Sequence, residues 1–294
     1  MAASDRELPP GIAAQLLSDD DLPSAIALSQ EAGWNQNEAD WRIFLELGHV
    51  IGLAREDGRL IATAATLPHG HEFGWISMVL VTAAERRKGL ARWLLRRCMD
   101  DLIAQKLVPV LDATPAGRPV YVGLGFRDCW TMRRLVARTV RPPSCPILNS
   151  DANIRPIQEA DWAAITALDA DVFGADRSGL LRRLAERLPA SALVAERGGP
   201  IVGYLLGRDG RTMNQLGPLA AENEDVAMAL LSRGVAAVPA PLAIDLPDRH
   251  GRLREWLGTL DFKVERPLTR MVYGRSKAFD DGARLFAIAG PELG

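Results

Sequence analysis

Apolar and polar positions along this chain fall into two arrangements that resemble each other. Residues 50–67, VIGLAREDGRLIATAATL, place two apolar runs around an Asp-Gly pair, which reads as strand, turn, strand. Residues 192–207, ALVAERGGPIVGYLLG, have the same form around a Gly-Gly pair. Residues 108–126, VPVLDATPAGRPVYVGLGF, read as strand, loop and short helix ending in Leu-Gly-Phe. Residues 241–262, PLAIDLPDRHGRLREWLGTLDF, repeat that order and end in Leu-Asp-Phe. The repeat is a domain long, too long for a solenoid. Between the copies, residues 139–151, TVRPPSCPILNSD, break the periodicity as a linker would. The pattern predicts two copies of one α/β fold at 12–140 and 152–275, joined by 141–151, with 276–294 as a tail.

The run WISMVLV at 75–81 is almost continuously apolar, as a buried central strand is. From Leu90 onward the apolar residues Leu90, Leu94, Leu95, Cys98, Met99, Leu102 and Ile103 keep helical spacing, with Arg92, Arg96 and Arg97 facing away. Between strand and helix lies TAAERRKGLA, at 82–91. Its cations adjoin a helix start that is already positive and has unpaired N–H groups. Gly89 lets a ligand approach the backbone. The arrangement suits a bound phosphate or pyrophosphate. Neither a P-loop nor a dinucleotide-binding glycine fingerprint is present, which disfavours a nucleotide triphosphatase and a Rossmann dehydrogenase.

Composition narrows the class. The 294 residues are 48% hydrophobic and 24% charged, with a net charge of −2, which disfavours general nucleic-acid and membrane-surface binding. The opening MAASDRELPPG lacks the apolar core of a secretory leader, and no apolar run approaches a membrane span. Cys98, Cys129 and Cys145 are odd in number and scattered, so a reducing cytoplasm is expected.

The spacing Arg86, Gly89, Ala91 and the later Tyr121, Gly125, Phe126 resemble the signatures of the GNAT superfamily of acyl-CoA N-acyltransferases. The likeness covers most of 12–140. It implies two tandem GNAT-type domains, each a mixed, mostly antiparallel sheet flanked by helices, and acetyl-CoA as acyl donor without a metal. It also implies donor contacts at Val79, Leu80, Val81, Arg86, Arg87, Lys88, Gly89, Leu90, Ala91 and Arg92. A backbone N–H among Val79, Leu80 and Val81 would receive the developing oxyanion, and Tyr121 would protonate the departing thiolate.

An attacking alkylamine has a pKa near ~10 and must first lose a proton. Trp75 stands where some members of the superfamily carry a glutamate. Deprotonation through ordered water is expected, with Glu72 or His71 as alternatives. The His69-x-His71 spacing has no third ligand near it and reads as a surface turn. For the acceptor, EAGWNQNEADW at 31–41 offers Trp34, Asn35, Gln36 and Asp40, with Trp41 as packing. Asp40 and an indole face would suit an ammonium group. In the second copy Phe173, Asp176 and Arg177 would line a second pocket or the contact between lobes.

The second copy reads LAAENEDVAM at 219–228, where acids replace the cations and Val226 the glycine, and Leu257 replaces the tyrosine. This lobe is expected not to bind CoA, and either to complete the substrate pocket or to stand in for a second subunit. The tail run LFAIA is expected to dock on a lobe. The expected function is acetyl transfer to a small-molecule amine by a monomer or homodimer, without nucleic-acid or membrane partners. Alternatives are a protein lysine or N-terminal acetyltransferase, and a non-catalytic acyl-CoA sensor.

Overall fold

The computed structural model describes residues 8–141 and 151–294. The expected linker lies almost wholly outside the described residues. The first lobe runs β1 (Ile12–Leu16), α1 (Leu22–Glu31), α2 (Glu38–Leu47), β2 (His49–Arg55), β3 (Leu60–His69), β4 (Phe73–Val81), α3 (Leu90–Ala104), β5 (Val108–Ala113), α4 (Arg118–Val122) and β6 (Phe126–Ala137). The second repeats the order with β7 (Asn153–Pro156), α5 (Trp162–Phe173), α6 (Ser178–Arg187), β8 (Leu193–Glu196), β9 (Ile201–Arg208), β10 (Asn214–Ala221), α7 (Glu224–Ala237), β11 (Leu242–Pro247), α8 (Gly251–Thr259) and β12 (Lys263–Tyr273). A last strand, β13 (Leu285–Ala287), closes the chain's tail.

Among the described residues, all thirteen strands join one sheet, ordered β1-β2-β3-β4-β5-β12-β6-β11-β10-β9-β8-β7, with β13 beside β10. The lobes exchange their final strands. β12 pairs with β5 of the first lobe, Thr269 opposite Ala113, and β6 pairs with β11 of the second, Leu242 opposite Ala137. β6 and β12 pair antiparallel with each other from Lys263–Val136 to Tyr273–Phe126 and form the centre of the sheet.

The apolar periodicity sorts the helices onto two faces. Leu90, Leu94, Leu95, Cys98 and Leu102 of α3 pack on one face with Ile61, Ile76 and Leu111, and α7 covers the same side of the second lobe with its own cluster. Trp41, Ile43 and Phe44 of α2 share the opposite face with Trp162, Ile165 and Leu181 of α5 and α6. That core is common to both lobes, so α1 and α2 of the first share it with α5 and α6 of the second. No helix among the described residues is long and apolar enough to cross a membrane.

Candidate active site

β4 and β5 pair in parallel at Phe73–Val108, Gly74–Pro109 and Trp75–Val110, then separate. The cause lies in β4. Met78 takes a left-handed φ of 51°, rare and strained for a non-glycine residue, and the β3–β4 register shifts there. Thr63 Oγ1 donates to the Met78 carbonyl at 2.9 Å and holds the bulge. Beyond Trp75, the β4 edge toward β5 therefore has no partner strand among the described residues.

The gap opens a cavity of about 890 Å³, lined by residues of both sheet faces. On the α3 side are Arg86, Arg87, Gly89, Leu90, Ala91, Arg92 and Leu95. Gly89 is the N-cap of α3 with φ of 83°, no side chain caps the helix, and a Cβ there would meet nothing within 4 Å. Arg87 is also left-handed, with φ of 63°. The loop thus turns its backbone toward open space, and neither Arg86 nor Arg87 makes an ion pair among the described residues; Arg86 Nε donates to the Val81 carbonyl at 3.1 Å. An anion fits this cradle. Lys88 does not line the cavity; its ammonium pairs with Glu85 at 2.9 Å, and Glu85 also holds Arg55 at 2.6 Å. Hydrogen bonds from Arg55 and Lys88 keep the Glu85 carboxyl below its usual range.

Val79, Leu80 and Val81 supply the cavity's β4 wall, and Tyr121 stands on α4 across from it. Burial alone raises the Tyr121 phenol above its ordinary pKa, so it stays protonated at neutral pH.

The opposite end is built largely by elements the hydrophobic pattern did not assign to it. Trp34 and Gln36 come from the α1–α2 loop, Arg134 from β6, Arg266 and Leu268 from exchanged β12, and Pro291 and Glu292 from the tail. Gln36 Nε2 donates to Glu292 at 2.6 Å, which leaves Gln36 Oε1 buried without a partner. Ser77 Oγ is likewise buried and unpartnered at the cavity wall. Arg208 grips both Glu292 and Asp40. Burial would raise the Glu292 carboxyl, but the charges of Arg208 and Arg134 and the bond from Gln36 hold it below its usual range, so it is a carboxylate.

Three acceptor-side expectations change. Asp40 is fully buried, closes the α2 capping box with Asn37, and pairs with Arg187 at 2.7 Å and with Arg208, so it does not reach the cavity. Asn35 borders the cavity, yet its amide is committed to the second lobe, accepting from Thr212 and Met213 and donating to the Met213 carbonyl at 2.9 Å. Phe173 is buried against Phe73, His69 and Trp75 under the Arg177 guanidinium, 3.6 Å from its ring centroid, and forms core between the lobes. Neither His71 nor Glu72 lines the cavity. Trp75 is buried and donates to the Pro291 carbonyl at 2.9 Å, which anchors the tail.

His69 is not in a surface turn: it is buried, and burial with the charges of Arg177 and Arg270 lowers its pKa to about 3. Unfolding would restore ~6.5. The unfolded chain therefore binds a proton that the folded chain refuses, and stability falls as pH drops below ~6.5, by ~1.4 kcal/mol per unit until the folded pKa is reached. Denaturant titrations between pH 7 and 4 should show this slope, and His69→Gln should flatten it. An unchanged slope in that variant would remove His69 as the cause.

The second lobe's corresponding cleft is closed. β10 and β11 also pair in parallel for three residues, Asn214–Leu242 to Leu216–Ile244. There β13 enters, pairing Leu219–Ala287 and Ala220–Leu285 with β10, while Ile288 N donates to the Asp245 carbonyl of β11 at 3.2 Å. At Gly217 a Cβ would lie 2.1 Å from the Ile288 carbonyl oxygen, so only glycine admits the tail. The α7 start is self-satisfied, its cap Asn223 accepting from Val226 N at 3.0 Å with Glu224 and Asp225 in the first turn.

A sheet parted at a β-bulge beside an uncapped, basic helix start defines an acyl-CoA-type N-acyltransferase. Residues 15–126 match the acetyltransferase (GNAT) family model and residues 165–287 a second acetyltransferase (GNAT) domain model. The chain belongs to the GNAT superfamily and carries two of its domains in tandem. An "Uncharacterized N-acetyltransferase YitH" from Bacillus subtilis (strain 168) is 25% identical over 279 residues, covering 95% of this chain and 97% of its own. Among solved structures, a putative acetyltransferase from Pyrococcus horikoshii superposes with a TM-score of 0.79 at 18% identity, covering 98% of each chain. A GCN5-related N-acetyltransferase from Sphaerobacter thermophilus gives 0.66 at 18% identity, over 95% of this chain and 99% of that one.

Proposed function

We propose that the protein moves the acetyl group of acetyl-CoA to the amine of a small molecule by direct attack. The observation that carries this reading is the cavity itself, which joins a cationic cradle on one sheet face to a polar, enclosed wall on the other. The Arg86–Arg92 loop receives the donor's pyrophosphate. The Val79–Val81 backbone pairs with its pantetheine arm and offers an N–H to the developing oxyanion. Tyr121 delivers its phenolic proton to the departing thiolate. A water held at Ser77 Oγ relays the proton of the acceptor's ammonium outward to solvent, leaving the free amine to attack. The wall formed by Pro291, Glu292 and Arg266 favours a small acceptor over a peptide, and an intact Tyr121 favours catalysis over sensing.

Calorimetry should find one acetyl-CoA site per chain, because β13 fills the second cleft. A panel of small amines should then stimulate release of free CoA thiol. Two equivalent donor sites, or donor binding with no amine-dependent thiol release, would overturn the reading.

A further inference from the structure

Arg266 is the odd member of the arginines gathered where the lobes meet. Arg134 forms a fork with Asp245 at 2.9 and 2.6 Å. Arg270 forks onto Asp112 at 3.0 and 2.9 Å and also reaches Asp280. Arg208 holds Asp40 and Glu292. Arg266 makes no ion pair among the described residues, and its Nε is buried without a hydrogen-bond partner while the side chain lines the cavity. Arg266 is partly buried, and a guanidinium with a buried, unpartnered Nε and no ion pair offers its donors to an incoming anion.

We propose that the acceptor is an amino-acid-like molecule whose carboxylate is received by Arg266 and whose amine is received by Gln36 Oε1 beside Glu292. This rests on the acetyl-transfer reading. The two unpartnered groups are complementary: Gln36 Oε1 only accepts hydrogen bonds, as an amine N–H requires, and Arg266 only donates, as a carboxylate requires. A monoanion fits better than a phosphate, because Asp112 and Glu292 line the same cavity and would repel a dianion. The planar guanidinium fork matches a carboxylate in two-point contact. Burial and the charge of Arg134 lower the Arg266 pKa against the opposing charges of Asp245, Glu265 and Glu292, and an incoming anion would add to the latter. Acceptor choice would then be shared between Gln36 of the first lobe and strand β12 with the tail from the second, while the donor is held by the first lobe alone.

The test titrates free amino acids of graded side-chain size, and the amines left by their decarboxylation, into protein saturated with CoA. The same compounds are assayed for thiol release with acetyl-CoA. At least one amino acid should bind about 10- to 100-fold more tightly than its decarboxylated partner, the range of a charge-assisted pair. Arg266→Met should lose that margin, and Arg266→Lys should recover part of it, with acetyl-CoA affinity unchanged in both. Amines that bind as well as their parent amino acids, amino-phosphonates that bind better, or an Arg266→Met variant that loses acetyl-CoA instead would overturn the proposal. If no compound releases thiol while acetyl-CoA still binds, the transfer reading fails by itself, and the titration alone decides the carboxylate site.

Discussion

Gly89→Glu is expected to abolish acetyl-CoA binding, by at least about a hundredfold, while the chain remains folded. Two effects act at the same point. The left-handed φ of 83° strains any L-residue, at about 1–3 kcal/mol. The added carboxylate would stand where the donor's pyrophosphate is held, replacing attraction by like-charge repulsion at a helix start. Since the space around a Gly89 Cβ is open, no clash with the fold adds to these terms. Gly89→Ala separates them, because it shares the strain and lacks the charge. Calorimetric titration with acetyl-CoA should show alanine weakened modestly and glutamate beyond detection, with a cooperative unfolding transition in both. Retained affinity in the glutamate variant would mean that the phosphate cradle lies elsewhere.

Tyr121→Phe should lower kcat by about 10²–10⁴-fold, the usual worth of a positioned acid, with acetyl-CoA affinity little changed. The ring packs edge-on against Phe126 at a centroid distance of 6.2 Å, and phenylalanine keeps that contact. Only the hydroxyl is lost. A silent substitution would make Tyr121 a packing residue. A fall in affinity with kcat preserved would make it a positioning group for the donor. Binding titration beside steady-state rates on the variant separates the three outcomes.

Much of each lobe was legible because short-range rules fix it. Strand–turn–strand units at 50–67 and 192–207, the buried run at 75–81 and the amphipathic helix from Leu90 all appear as elements in the structure. The cradle between β4 and α3 was legible too, since cations and glycine at a helix start are a local signal. What was not legible depends on long-range pairing. The exchange of β6 and β12 leaves each strand with the same alternation it would have in its own lobe, so no periodicity reveals its partner. Arg266 and Glu292 reach the cavity only through that exchange and through the docked tail. Asp40 misled because a capping carboxylate and an ammonium hook look alike in sequence; the two arginines that claim it lie 147 and 168 residues away along the chain. His69 likewise reads as a turn residue beside Gly70, and its burial comes from Phe173 of the other lobe.

The tail strand in the second cleft makes that lobe a permanently liganded one. An occupant tethered to its own chain binds as an intramolecular event that needs no free ligand, so the filling of this cleft does not depend on the supply of acyl donor. The first lobe's cleft is the one left open. Because the same tail carries Glu292 onward into the first lobe's cavity, one wall of that cavity is set by intramolecular bonds, from Gln36 to Glu292 and from Trp75 to the Pro291 carbonyl. The duplicated half has become a built-in wall for the open cleft of the other.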